Sequence, residues 1–283
     1  LAIARADLAQ QVRERFARAL AAQERVRLAE ENEARARELA RVAGLLVETG
    51  REPPLRALRA RSAAAQAAAE LDAARAAERA ERTTLASLFG ESMPVDGVSG
   101  PFAEPAPEAV DPERSLDVRL ADAELGIAEA MVGQERANGR VDPSVGLGVR
   151  HVRETGDVGL VGGVTIPLQI FDRNQGNIDA ARADVRAAEA RRASALATVT
   201  VRAGNAAANV EAARARVAAL EGAAIPEAAE ALRLAERSYQ IGRASLVELI
   251  DVQTAHTNAQ AALVEAQLAL ALAIAELSRV AAQ

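Results

Sequence analysis

The sequence predicts a mainly α-helical fold with a small β part, built from two long helical hairpins that repeat each other and one β-hairpin. The first observation is a repeat, because residues 47–51 resemble residues 239–243 at an offset of 192 positions, and the likeness continues after each Gly-Arg pair. The second is composition, since 50% of the 283 residues are hydrophobic but only 2% are aromatic. A period this long indicates a duplicated half-protein rather than a solenoid unit.

The composition also limits the partners and the chemistry available to the chain. A core of ordinary size would use more aromatic side chains, which bury large areas. Alanine-rich helices bury little area each, so we expect them to pack side by side in an oligomer, with a monomeric bundle as the alternative. All 34 basic residues are Arg, and the net charge is −6. This negative charge argues against nucleic acid as a partner, because phosphate binding needs a basic surface. The lack of Cys excludes disulfides and thiolate metal sites.

The first hundred residues predict two long helices joined by a tight turn. Residues 1–47 are rich in Ala, Arg, Glu and Leu, which favour helix. Gly50 ends this helix, and the Pro53-Pro54 pair opens a second helix over residues 54–90.

A loop, a helix and a β-hairpin follow. Residues 91–112 contain several Pro and Gly and predict a loop between the repeats, and a helix then begins at Asp111-Pro112 and ends near Gly139. Residues 141–168 alternate apolar with small or polar side chains and predict a β-hairpin of roughly ten residues per strand. Such strands can cross a membrane within a barrel, and a soluble hairpin is the alternative.

The last third predicts another helical hairpin. A helix resumes after Gly176, is interrupted at residues 222–226 and breaks at Gly242. Ser245 and Glu248 match the capping-box pattern S-x-x-E, so a new helix begins there and runs to the end.

The final helix carries a seven-residue stripe, which predicts supercoiled, coiled-coil packing against its neighbours. The two positions of the stripe are occupied by Leu246, Gln253, Gln260, Gln267 and Ile274, and by Leu249, His256, Leu263, Leu270 and Leu277.

Targeting signals are not visible in the sequence. No stretch reaches the roughly 18 consecutive apolar residues of a membrane helix, and no signal peptide precedes the first helix. The chain starts at Leu1, without Met and inside a helical pattern, so we expect it to be a piece of a longer protein.

Three stretches resemble the outer-membrane efflux factor family, the TolC-like exit ducts, and in particular the heavy-metal efflux branch typified by CzcC and CusC. Residues 164–176 (VTIPLQIFDRNQG) resemble that branch's strand-to-helix junction. Residues 239–251 (YQIGRASLVELID) are similar to the family's periplasmic tip, and residues 142–148 (DPSVGLG) to the lead into its first strand.

The resemblance implies a protomer of a homotrimer in the Gram-negative outer membrane. In this family a β-barrel in the outer-membrane lipid continues into a periplasmic α-barrel, which docks with a periplasmic adaptor protein. The adaptor links the duct to an inner-membrane pump, here of the RND type. Such a duct passively conducts its substrate, here heavy-metal cations, catalyses nothing and needs no cofactor. We weigh two alternatives, a periplasmic adaptor and a coiled-coil scaffold. The doubled Gly-Arg turn disfavours the first, and the alternating strands disfavour the second.

The resemblance also divides the chain into repeats. Residues 1–90 are a truncated first repeat with its tip near residue 50, residues 91–112 are the inter-repeat loop, and residues 113–283 are the second repeat with its tip near residue 242. The family has a β-hairpin in each repeat, whereas the first-repeat hairpin is absent from this chain. We expect the missing segment in the full-length protein, because an unclosed barrel would leave strand edges in lipid.

Two acidic residues are candidates for a pore constriction. Glu248 and Asp251 lie three positions apart on one helical face just after the second turn. In the family, acidic residues at these places line the periplasmic constriction, and rings of carboxylates favour cations. The alternative is a solvated acidic face that suits a helix N-terminus.

Basic residues stand at the equivalent places of the first repeat. Arg56 and Arg59 align with Glu248 and Asp251, so the hypothesis is that these opposite charges pair across neighbouring hairpins and hold the tip shut. The family instead has an acidic residue at the place of Arg56 and a basic one at the place of Ala244, so its own closure cannot be transferred.

The remaining candidates surround the two turns. In the family a Tyr at the place of Tyr239 hydrogen-bonds near the closed tip, with ordinary packing as the alternative. The resemblance further implies that the adaptor meets Gly50 and Arg51 in one turn and Gly242 and Arg243 in the other.

No motif predicts catalysis or a metal site. The two His residues, His151 and His256, fall in a strand and in a helix seam without the neighbouring ligands that a transition metal needs. Nucleophile elbows, HExxH and phosphate-binding loops are all missing from the sequence.

Overall fold

The computed structural model describes residues 1–107, 109–154, 156–167 and 173–283. These residues form six α-helices and one two-stranded antiparallel sheet, which confirms a mainly α-helical chain with a β-hairpin. The helices are α1 (Ala2–Glu48), α2 (Pro54–Ser87), α3 (Leu116–Asn138), α4 (Gln175–Ala219), α5 (Ile225–Gln240) and α6 (Leu246–Val280). The strands are β1 (Ser144–His151) and β2 (Val158–Thr165).

The chain divides into two compact units. One consists of Leu1–Asp111 and Val201–Gln283, and the other of Pro112–Thr200. The first unit contains both Gly-Arg turns, and the second contains the β-hairpin. These units follow contacts in space, while the boundaries of the two sequence repeats stay a prediction.

Small side chains dominate the core of the first unit. Ala17 and Ala21 of α1 are fully buried in one cluster with Val264, Leu268 and Ala271 of α6. Because an Ala side chain is a single methyl group, the two helices can approach closely, but each contact removes little apolar area from water. Stability therefore depends on many such contacts along the length of α1 and α6.

The α1–α2 and α5–α6 turns have the same geometry. Gly50 and Gly242 have φ angles of 71° and 73°, a left-handed conformation that Gly adopts without strain. In each turn the Gly N–H bonds to the carbonyl three residues earlier and the Arg N–H bonds to the carbonyl five residues earlier, at 2.8 to 3.0 Å. This is the Schellman motif, which satisfies the last carbonyls of a helix. The shared geometry supports the duplication inferred from the sequence.

The start of α6 confirms the predicted capping box. The Ser245 hydroxyl accepts a hydrogen bond from the Glu248 N–H at 3.2 Å, and the Glu248 carboxylate accepts one from the Ser245 N–H at 2.7 Å. Two N–H groups without helical partners are thereby satisfied.

The sequence predicted an interruption of the helix at residues 222–226. The prediction of a break is wrong, because the chain stays helical there. Leu220–Ala224 form a π-helical turn that connects α4 directly to α5. Pro226 lacks an N–H, and in a regular helix its ring would clash with the carbonyl four residues earlier. Widening of the helix at this point accommodates the ring.

The start predicted for α3 at Asp111-Pro112 is also wrong. Pro112–Arg114 form a short 3-10 turn, and the α-helix begins at Leu116. Ser115 caps this helix, because its hydroxyl accepts a hydrogen bond from the Asp117 N–H at 3.2 Å. Ser115, four residues after Asp111, therefore holds the cap position of α3.

Side chains of α1 and α2 hold the inter-repeat loop. The Gln23 amide donates to the Val98 carbonyl at 3.1 Å and accepts from the Val98 N–H at 3.3 Å. Arg82 of α2 donates to the Val95 carbonyl at 2.6 Å. The loop is therefore anchored through its backbone, although the described residues before Pro112 form no helix or strand there.

The register of the β-hairpin confirms the predicted alternation. Val145 pairs with Val164 and Val149 with Leu160, so the large apolar side chains share one face. Each strand has eight residues, shorter than the ten predicted, and every residue of both strands is exposed in the single chain. Thr155 in the turn, and residues 168–172 of the strand-to-helix junction, lie outside the described residues.

The seven-residue stripe of α6 holds only at the two ends of the helix. Leu249 and His256 near its start, and Leu277 near its end, are buried as the stripe predicts. In between, the buried residues include Val264 and Leu268, one position after the stripe. The buried face is thus shifted by one position in the middle of α6 and coincides with the stripe at both ends.

Among the described helices, α6 alone is long and apolar enough to cross a membrane by length and composition. Its most apolar window has a mean hydropathy of 1.6 and is 39% buried inside the chain. The helix packs against α1 and α5, and a core helix passes the same test, so we assign α6 to the core of the first unit.

Gly242→Ala tests the strain that a side chain would create in the second turn. A Cβ at position 242 would meet no atom within 4 Å, so the substitution acts through the backbone alone. We expect a loss of about 1 kcal/mol or more, seen as a lower midpoint of denaturation. Gly204→Ala in α4 is the control, because Gly204 also has open space but a helical φ, and there the change should stabilise by roughly 0.5–1 kcal/mol. Equal effects of the two substitutions would contradict this account.

Candidate functional site

A buried cluster holds the two helical turns side by side. Ala43 of α1, Ala60 of α2 and Leu246 of α6 are each about 1% exposed and form its centre, and Tyr239 of α5 packs against them. All four helices that end or begin at a turn therefore contribute to one cluster. The Gly-Arg turns of the two repeats consequently meet at the same end of the first unit.

A cleft of about 450 Å³ lies between the turns. It is lined by Leu46, Arg51, Glu52, Arg56, Tyr239, Gln240, Gly242, Arg243, Ala244, Ser245 and Glu248. Six residues singled out from the sequence are thus brought together there: Arg51, Arg56, Tyr239, Gly242, Arg243 and Glu248. The other three, Gly50, Arg59 and Asp251, are exposed and do not line the cleft.

Arg56 is held by a carboxylate that the sequence analysis did not single out. Its guanidinium forms an ion pair with Glu52, four residues earlier, and the Glu52 side chain is only 16% exposed. Opposite charges four positions apart at a helix start are a known stabilising pattern, so the sequence contained this signal. Within the described chain, the partner of Arg56 is Glu52 rather than Glu248 or Asp251.

Glu248 is exposed, but a hydrogen bond to the backbone fixes its side chain. Its carboxylate accepts the hydrogen bond of the Ser245 N–H, and the bonds with Ser245 hold its pKa below the ordinary value. The group therefore stays negatively charged to lower pH than an unperturbed Glu. Asp251, one turn later on the same helix, is exposed.

Tyr239 is half-buried in the wall of the cleft. Burial raises the pKa of its phenol above the ordinary value of 10.0, the Glu52 carboxylate raises it further, and the Arg56 guanidinium lowers it. The phenol is therefore neutral at physiological pH and lies next to the Glu52–Arg56 ion pair.

Several large apolar side chains are exposed on the surface around the two turns. Leu55 and Leu58 of α2 are about 60% exposed, as is Ile241 in the second turn. An exposed group of large apolar side chains beside charged ones is typical of a contact surface. The sequence analysis did not single out these three residues, because their shared location depends on how the two turns meet in space.

The described part of the chain contains no group of three or more His, Asp or Glu side chains that could hold a metal ion. His151 is exposed on β1, and His256 is buried in α6.

Two proteins of known structure share the fold of this chain. One is CusC, with a TM-score of 0.83 at 16% identity over 100% of this chain and 70% of that one. The other is VceC, an outer membrane protein of Vibrio cholerae, with a TM-score of 0.81 at 20% identity over 99% of this chain and 71% of that one.

Residues 112–283 match the family described as outer membrane efflux protein, and the chain belongs to that family. The resemblance drawn from the sequence is thereby confirmed. One relative is the cobalt-zinc-cadmium resistance protein CzcC of Cupriavidus metallidurans, 32% identical over 89% of this chain and 62% of the relative. Another is the nickel-cobalt-cadmium resistance protein NccC of Alcaligenes xylosoxydans, 38% identical over 62% of this chain and 41% of the relative. The chain thus spans less than two thirds of the length of either one.

The environment of Tyr239 can be tested by titration, since it is the only Tyr in a chain without Trp. We expect the phenol to ionise above its ordinary pKa. Glu52→Gln should lower the pKa of Tyr239 and Arg56→Gln should raise it, because the two charges act in opposite directions. The measurement is the ultraviolet absorbance of tyrosinate, taken as the difference from Tyr239→Phe. Shifts in the same direction, or none, would show that the ion pair does not lie beside the phenol.

Proposed function

We propose that the protein is an outer-membrane exit duct that passively conducts heavy-metal cations from the periplasm to the outside. The observation that carries this proposal is the match of residues 112–283 to the outer membrane efflux protein family. The metal-resistance names of CzcC and NccC support the choice of cargo. The same family match favours a duct over the adaptor and scaffold alternatives, and it gives no support to an enzyme.

A homotrimer is the proposed working form. The β-hairpin exposes both of its faces in the single chain, and its apolar face suits contact with outer-membrane lipid once strands from several protomers close a barrel. The alanine-rich helices would likewise gain burial by packing against those of neighbouring protomers.

The two turns are the proposed contact with a periplasmic adaptor. The exposed residues there are Gly50, Arg51, Gly242 and Arg243, together with the apolar Leu55, Leu58 and Ile241. Apolar anchors surrounded by charges suit the helical hairpin of an adaptor. Through this partner the duct would couple to an inner-membrane pump of the RND type, which supplies the energy.

Glu248 and Asp251 are the proposed lining of the constriction. Both are exposed at the start of α6, and the lowered pKa of Glu248 keeps its charge in place. Threefold symmetry would gather six carboxylates, whose summed field favours cations over anions. Arg56 and Arg59 on the facing hairpin, and Tyr239 on the same hairpin as the two carboxylates, are the proposed closing elements.

Removal of the two carboxylates tests the constriction. In planar bilayers, Glu248→Gln combined with Asp251→Asn should reduce the cation selectivity of the full-length protein. Glu227→Gln combined with Glu230→Gln is the control, since these two Glu residues have the same spacing and are exposed on α5. Unchanged selectivity in the first variant, or an equal loss in the control, would place the selective carboxylates elsewhere. A folded trimer that never conducts would count against the duct itself.

Charge reversal of the two Arg residues tests the closing role. Arg56→Glu combined with Arg59→Glu should raise single-channel conductance, because acidic groups would then face one another across the tip and repel. Arg75→Glu combined with Arg79→Glu makes the same charge change farther along α2 and should leave conductance near that of the wild type. Unchanged conductance in the first variant would remove Arg56 and Arg59 from the closing mechanism.

A further inference from the structure

His256 is a buried polar side chain whose surroundings the duct function does not explain. Four polar or charged side chains are buried among the described residues, and His256 is 6% exposed. The other three, Glu33, Ser115 and Arg279, each have an ion pair or a hydrogen bond. The Nδ1 atom of His256 is buried and has no hydrogen-bond partner. Such an atom is normally satisfied, because an unpaired buried polar group is costly.

Charged groups from both neighbouring helices face the imidazole. Arg35 and Glu31 approach it from α1 and Glu236 from α5. Glu31 is already engaged, since it binds Arg35 at 3.2 Å and Arg27 at 2.6 Å. Glu236 makes no ion pair within the described residues, so it is the carboxylate available to a new positive charge.

A water-accessible cleft lies one helical turn from His256 along α6. This cleft of about 730 Å³ between α1, α5 and α6 is lined by Arg35, Glu236 and Gln253, the last of these one turn before His256. A proton can therefore reach the seam between the helices without unfolding of the hairpin.

We propose that His256 is a proton-sensitive joint that loosens α1 from α6 when the surroundings become acidic. A proton on the imidazole places a positive charge against Arg35 of α1, and the two charges repel each other. The same charge attracts Glu236 and draws α5 toward α6. His256 lies eight residues beyond Glu248, about 12 Å along the helix, so the loosened seam lies directly behind the two turns.

The direction of the pH effect follows from burial. Burial holds the pKa of His256 below its ordinary value of 6.5, the Arg35 charge lowers it further, and Glu31 and Glu236 act in the opposite sense. The unfolded chain therefore binds the proton more readily than the folded one. The stability that the neutral His256 contributes is complete above pH 6.5 and is lost as the pH falls through the lowered pKa. This inference depends on the fold of the first unit and not on conduction.

Hydrogen exchange of the full-length protein tests the joint. Exchange of backbone amides around Arg35 and His256 would be measured at about pH 7.5 and about pH 5, on either side of the ordinary His pKa, and corrected for intrinsic rates. We expect the wild type to lose protection in both segments at the lower pH. His256→Leu should abolish this loss, since Leu fills the seam but cannot take up a proton. His151→Gln is the matched control, because it removes the other His of the chain from an exposed strand, and it should behave as the wild type does.

Two results would overturn the proposal. One is an equal loss of protection in the wild type and in His256→Leu, and the other is no loss in the wild type. If His256→Leu does not fold, the imidazole is titrated in the wild type by nuclear magnetic resonance, with His151→Gln to assign the signal. A loss of protection that follows the titration of His256, with a midpoint below 6.5, supports the joint, and a loss that does not follow this titration contradicts it.

Discussion

The structure depends on the close approach of long alanine-rich helices. A buried Ala contributes far less hydrophobic free energy than a buried Leu or Phe, so a short helix of this composition would be only marginally stable. The chain compensates with length, since α1 has 47 residues and α6 has 35. The cluster around Ala17, Ala21 and Ala271 shows how the spacing between the helices is set by methyl groups. A larger side chain at such a position would force the helices apart along several turns.

This constraint explains where the polar chemistry is located. Long paired helices leave few places for function along their sides, whereas their ends offer unsatisfied backbone groups, exposed side chains and a change of direction. The two Schellman turns and the capping box at Ser245 fix these ends, and the cleft between them collects the charges of both repeats. The candidate site therefore follows from the way the helices end rather than from a dedicated pocket. Three titratable side chains of the described chain are nevertheless buried along these helices. Glu33 and Arg279 each form an ion pair, whereas the buried Nδ1 atom of His256 has no hydrogen-bond partner among the described residues.

The features that the sequence predicted correctly are those set by local chemistry. Gly50 and Gly242 end helices because of the φ angles they adopt, Ser245 and Glu248 cap a helix because of their spacing, and the alternation of Val and Leu sets the face of the β-hairpin. The features it missed depend on neighbours in space or on competition between local signals. Pro226 widens a helix instead of ending it, because the flanking helices are long enough to continue. The α-helix predicted to start at Asp111-Pro112 begins instead after the cap residue Ser115. The ion pair between Glu52 and Arg56 could have been predicted from their four-residue spacing. The lining of the cleft could not, because it brings together residues from the two turns.

The central proposal is that the start of α6 faces the conduction path at its narrowest point. Because the described chain contains no Cys, a single thiol can be introduced by Ala255→Cys, at an exposed position one turn after Asp251 on the same helical face. Single-channel current through the full-length variant would be recorded in a bilayer while a bulky thiol reagent is added. The account predicts that the current falls in three discrete steps, one for each subunit of the proposed trimer. A current that stays constant while mass spectrometry shows complete modification would contradict the account, since Ala255 and the acidic pair would then lie outside the path.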